Sequence, residues 1–129
     1  MADIQARLQQ LSEDFQNLQK ELQETVDSRQ RLEAQKTENL GVQKEFSKLK
    51  DDETIYKLIG PVLLKQEKAE AESTVNGRLE FIGKEISRLE KQIQDTQIGL
   101  EKKKAEIIQI QAAAQQAGPP PPGKQAVAA

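Results

Sequence analysis

The chain reads as mainly α. Two long helices fold back into an antiparallel coiled coil, and a single β-hairpin at the bend joins hairpins of other chains in a larger intersubunit sheet or closed β-barrel. A disordered C-terminal tail follows. Three observations predict this. Both arms carry apolar residues at heptad spacing. The short apolar stretch between them is split by Gly60-Pro61. Gly118-Pro119 through Gly123 closes the second arm.

In the first arm Ile4, Leu8, Leu11, Phe15, Leu18 and Leu22 alternate steps of four and three. Such spacing puts them on one stripe of a helix and makes a coiled-coil seam. Continuing the phase gives Thr25, Arg29, Leu32, Lys36, Asn39, Gln43 and Phe46, most of them polar. Polar residues in a seam weaken it but fix register. Arg29 and Lys36 can lay their methylene stems along the seam and lift the charge out. The weaker seam also admits a second reading, flexibility in the arm. Leu40, Val42 and Leu49, with Phe81 on the second arm, leave the seam near the bend. Two-helix packing does not need them, so the hairpin or another subunit should cover that end.

The second arm keeps the heptad through Val75, Leu79, Ile82, Ile86, Leu89, Ile93, Leu100, Ile107 and Ile110. Gly41, Gly77, Gly83 and Gly99 are poor helix residues, each costing about 1 kcal/mol against Ala. Gly77 and Gly83 lie near the bend, where they suit a close approach. The expected boundaries are 3–49 for the first arm, 54–66 for the hairpin and 70–117 for the second arm. These make one domain of residues 1–117, with a Pro/Gly tail over 118–129. Lys50-Asp51-Asp52-Glu53 ends the first helix, and the second starts between Glu70 and Ser73, with Ser73 a candidate cap. A polyproline II segment is expected in the tail.

The connection is too short and too apolar to link parallel partners, so the arms must return on each other. Each arm, of about 45 residues, reaches about 67 Å at 1.5 Å per residue. One register sets Leu8 by Ile110, Leu11 by Ile107, Leu18 by Leu100 and Leu32 by Ile86. A one-heptad slip, with Leu18 by Ile107, competes. The first is preferred because it aligns the inner ends of the helices.

Strands Thr54–Ile59 and Val62–Gln66 are apolar on nearly both faces. One hairpin cannot bury Ile55, Tyr56, Leu58, Ile59, Val62, Leu63 and Leu64 together. An isolated two-stranded hairpin is marginal in water, and its edges expose unpaired backbone groups. Pairing with hairpins of other chains resolves both problems, so these seven residues are the candidate assembly surface. The alternative is a hairpin lying back on its own helices over Leu40 and Phe81.

Composition narrows the chemistry. The 129 residues are 31% charged and 3% aromatic, with net charge −2, no Cys and no His. Thiol and imidazole chemistry and ordinary zinc sites are therefore out of reach. No Gly-rich phosphate cradle occurs, no basic face suits nucleic acid, and no stretch is long enough for a bilayer. No signal peptide is evident. The expectation is a cytoplasmic protein that is not an enzyme, uses no cofactor, and binds neither nucleic acid nor membrane.

With this arrangement, Tyr56-Lys57-Leu58-Ile59-Gly60-Pro61-Val62-Leu63-Leu64-Lys65-Gln66 is similar to the hinge of β-class prefoldin subunits. Arg29-Gln30-Arg31-Leu32-Glu33-Ala34-Gln35 and Thr37-Glu38-Asn39 strengthen the resemblance, which covers nearly all but the tail. An α-class subunit needs two hairpins, and the roughly 22 residues from Leu49 to Glu70 hold one. The resemblance implies a hetero-hexamer, with two α-type and three further β-type subunits as partners. It implies capture of unfolded proteins, including actin and tubulin, without ATP, and delivery to the cytosolic group II chaperonin. Fraying of the free arm ends would expose Ile4, Leu8, Leu11, Ile107 and Ile110. Ile108, off the seam, should be exposed already. These six are the candidate client-binding residues, and plain seam packing is the competing role for each. Two rivals exist: a passive coiled-coil tether, and a transcript-cleavage factor using Asp51-Asp52-Glu53 at its tip. The second needs a small polar turn rather than an apolar hairpin.

Overall fold

A computed structural model describes residues 2–50 and 52–117. The tail over 118–129 and Asp51 lie outside the described residues. The order is α1 (Ala2–Lys48), β1 (Ile55–Ile59), β2 (Val62–Gln66) and α2 (Lys68–Ala117). The described residues form two compact units, 2–24 with 93–117, and 25–50 with 52–92.

In the first unit the two helices run antiparallel. Leu11 and Thr96 are buried between them. Asp14 Oδ2 lies 3.7 Å from Lys103 Nζ. A Cβ placed on Gly99 would meet Leu18 Cδ1 at 3.7 Å, an ordinary contact. Leu18 therefore sits beside Gly99 and Leu100, as the preferred register requires, and a full heptad away from Ile107.

In the second unit the seam holds Val75, Ile82, Ile86 and Leu89, each buried, with Ala71 and Thr25. Gln92 Nε2 donates to Thr25 Oγ1 at 3.5 Å, and Gln43 Nε2 donates to Asn76 Oδ1 at 2.7 Å. Arg29 reaches Glu90 Oε1 at 3.6 Å and Glu33 Oε1 at 3.7 Å. These pairs keep the same register. Arg29 behaves as expected of a long cation at a seam position. Its stem is half-buried and its tip reaches carboxylates, but its Nε is buried without an acceptor.

The bend is tighter than the sequence suggests. Helix α2 begins at Lys68 rather than in the window from Glu70 to Ser73. The Glu67 carbonyl accepts from Ala71 N–H at 3.0 Å, so Glu67 takes the capping position expected of Ser73. The helix-forming run Ala69-Glu70-Ala71-Glu72 leaves no reason to delay. Lys68 Nζ donates to the Leu49 carbonyl at 3.0 Å and pairs with Glu72 at 3.7 Å. An ammonium at a helix C-terminus satisfies a stranded carbonyl and opposes the negative end of the helix dipole. The start of α2 is thus tied to the end of α1. Close approach at Gly77 and Gly83 is not made among the described residues: apart from each glycine's own stretch of helix, none of them lies within 4 Å of a Cβ at either position.

Candidate functional site

The hairpin pairs Ile55 with Gln66, Tyr56 with Lys65, Lys57 with Leu64, Leu58 with Leu63 and Ile59 with Val62. Gly60 and Pro61 form the two-residue loop, and Gly60 has φ +58°. Hairpin turns of this length need a positive φ, which Gly supplies freely. Pro61 fixes its own φ near −65°. This excludes the turn with two positive φ values and leaves the one with Gly first.

Side chains alternate across a strand, and directly paired residues share a face. One face of the ribbon therefore carries Tyr56, Leu58, Leu63 and Lys65. The other carries Ile55, Lys57, Ile59, Val62, Leu64 and Gln66. Both faces are apolar, as the sequence predicts. Leu58 is 68% exposed and Leu63 62%, and Tyr56, Ile59, Val62 and Leu64 lie open to a similar degree. Of the seven candidate assembly residues, only Ile55, at the base, is half-buried. Leu40 and Phe81 are exposed as well, Phe81 by 64%, so the hairpin does not cover them. Among the described residues the sheet has two strands, and no further strand pairs with either edge.

The six candidate client residues lie in the other unit. Leu11 is buried. Ile4, Leu8, Ile107 and Ile110 are half-buried, and Ile108 is exposed, matching its place off the seam. Sequence reasoning missed Ile98, which is exposed on the same helix. The signal was available, since Ile98 falls out of the heptad phase as Ile108 does. It also missed Thr96, a buried seam residue, and Lys68, whose contact depends on how the helices meet.

Among the described residues no group of three or more His, Cys, Asp or Glu is placed to hold a metal ion. Asp52 and Glu53 are solvent-exposed in the turn after α1. Among the described residues no helix is long and apolar enough to cross a membrane. The arrangement offers surfaces: an open apolar ribbon in one unit and part-open apolar helix ends in the other.

Comparison with known proteins follows the same lines. The family model described as "Prefoldin subunit" matches residues 9–114. Prefoldin subunit 6 of Saccharomyces cerevisiae is 46% identical over 112 residues, covering 87% of this chain and 98% of the relative. Prefoldin subunit 6 of Homo sapiens is 44% identical over 108 residues, covering 84% of each. The crystal structure of the prefoldin beta subunit from Thermococcus strain KS-1 superposes with a TM-score of 0.73 at 25% identity. It covers 89% of this chain and 95% of the other.

Proposed function

The chain belongs to the prefoldin subunit family, and from this premise we propose that its hairpin assembles it into the complex while its arm ends hold unfolded clients. Family membership points to a chaperone subunit without catalytic activity that assembles with other prefoldin subunits. The finer reading is ours. Residues 1–117 act as one β-type subunit, in the cytoplasm, beside two α-type and three further β-type chains. Its clients include actin and tubulin chains, which pass to the group II chaperonin.

One observation carries the assembly role. Six apolar side chains of the hairpin stand about half or more open, on both faces of a two-stranded ribbon. At about 25 cal/mol per Å2 of apolar surface, leaving them in water forgoes several kcal/mol. Strands from neighbouring subunits would cover the faces and pair the edges together. The client role rests on the free ends, where Ile4, Leu8, Ile107 and Ile110 are only half-covered and Ile108 stands open. Weak apolar contacts from several arms add up by multivalency, so a client is retained while each contact stays reversible.

Leu58→Asp or Leu63→Asp puts a carboxylate in the centre of the open ribbon face. The expected outcome is a chain with unchanged helix content that fails to enter the hexamer, read by light scattering on reconstituted subunits. Normal hexamers from both variants would refute the assembly role.

A further inference from the structure

The hairpin is not the end of the open apolar surface. Tyr56 and Leu58 line a hollow of about 350 Å3 together with Val42, Val75 and Arg78. Arg78 also lines a second hollow of about 350 Å3, beside Phe81, Gly77 and Asn39. The two hollows share Arg78, so a continuous strip descends from the hairpin onto the helices.

Val42 is 42% exposed and Phe81 64%. Both fall on the same side of the seam as Arg78, one helical turn from Phe81. Gly77 leaves the second hollow bare, with nothing within 4 Å of a Cβ there. Arg78 is exposed and forms no ion pair with any described residue, unlike Arg29 and Arg88, which do.

We propose that this strip, from Tyr56 and Leu58 through Val42 and Arg78 to Phe81, is a second assembly contact. Its occupant is a neighbouring prefoldin subunit that presents apolar side chains to Phe81 and Val42 and a carboxylate to Arg78. The inference rests on the assembly role given to the hairpin and extends it. A chain that covers Tyr56 and Leu58 from the side of the helices lies against the first hollow, because those residues form one of its walls. From there one further turn reaches Phe81. Arg78 is the residue common to both hollows, whose walls also carry Lys57, Gln66 and Thr74 in the first and Gln35 and Asn39 in the second; a guanidinium at that junction selects a partner with an acid at one position, which supplies specificity among similar subunits.

The test is the double variant Arg78→Glu/Phe81→Ala, reconstituted with its partner subunits beside Leu63→Asp. Both substituted side chains are exposed, and circular dichroism verifies that the helices persist. The double variant is expected to form hexamers that dissociate at least about tenfold faster on dilution, followed by native mass spectrometry. Leu63→Asp is expected to form none. Unchanged dissociation of the double variant while Leu63→Asp blocks assembly overturns the second contact alone. Normal assembly of Leu63→Asp removes the reading on which both rest. Impaired client capture with unchanged dissociation assigns the strip to clients and also overturns the proposal.

Discussion

Arg29 condenses the conflict inside the first arm. The heptad places it in the seam, where an apolar residue would pack best. Its tip reaches Glu33 and Glu90, yet both pairs are long, and the three side chains are about two-fifths to one-half exposed. Ion pairs of that kind contribute little, and a buried Nε without an acceptor costs something in return. Arg29→Leu should therefore stabilise the arm by about 1 kcal/mol, seen as a higher midpoint in thermal unfolding followed by circular dichroism. An unchanged or lower midpoint would show that the pair with Glu90 outweighs the packing. What Arg29 supplies in the native chain is register, since it meets a fixed partner on the opposite helix. Thr25 with Gln92 and Gln43 with Asn76 act the same way.

At the scale of elements, the hairpin depends on one backbone conformation. Gly60 has φ +58° with open space around it, so a side chain there meets backbone strain rather than a clash. A β-branched residue at positive φ costs about 1–3 kcal/mol. The hairpin has little stability to spare. Gly60→Val should lower hydrogen-exchange protection across the Leu58–Leu63 pair by about tenfold or more. Gly60→Asn should do so less, because Asn tolerates this region. Equal protection in both would mean that neighbouring strands, not the turn, hold the ribbon. The helices show the opposite economy. Their seams bury few residues, and none of the described side chains is fully buried. Each helix is therefore stabilised by a narrow stripe plus surface pairs such as Arg88 with Glu85 at 2.9 Å.

For the whole molecule, assembly and client holding are assigned to different residues, and this makes them separable. Removing residues 1–11 and everything from Ile107 onward leaves the hairpin and the seam around Val75, Ile82 and Ile86 untouched. The trimmed chain is expected to enter the hexamer normally and to lose suppression of client aggregation. The measurements are native mass for the first and light scattering of a denatured client for the second. Undiminished holding would move the client surface elsewhere, with Ile98 the first residue to examine.

The amino-acid sequence by itself determined the two helices, the hairpin between them and a ribbon apolar on both faces. Those features follow from short-range rules: heptad spacing, a Gly-Pro turn, and strands with no polar face. The sequence left two registers one heptad apart, and the contacts of Leu18 at Gly99 and of Asp14 with Lys103 decided between them. Tertiary structure alone decided which off-seam residues stay open. Leu40, Val42 and Phe81 could have been roofed by the hairpin, and spacing along one chain does not say whether a ribbon lies back or stands clear. Lys68 at the Leu49 carbonyl and the early start of α2 at Lys68, capped by Glu67, are likewise products of the meeting of two helix ends. A hydrogen bond across nineteen residues depends on distance in space, which local periodicity does not encode.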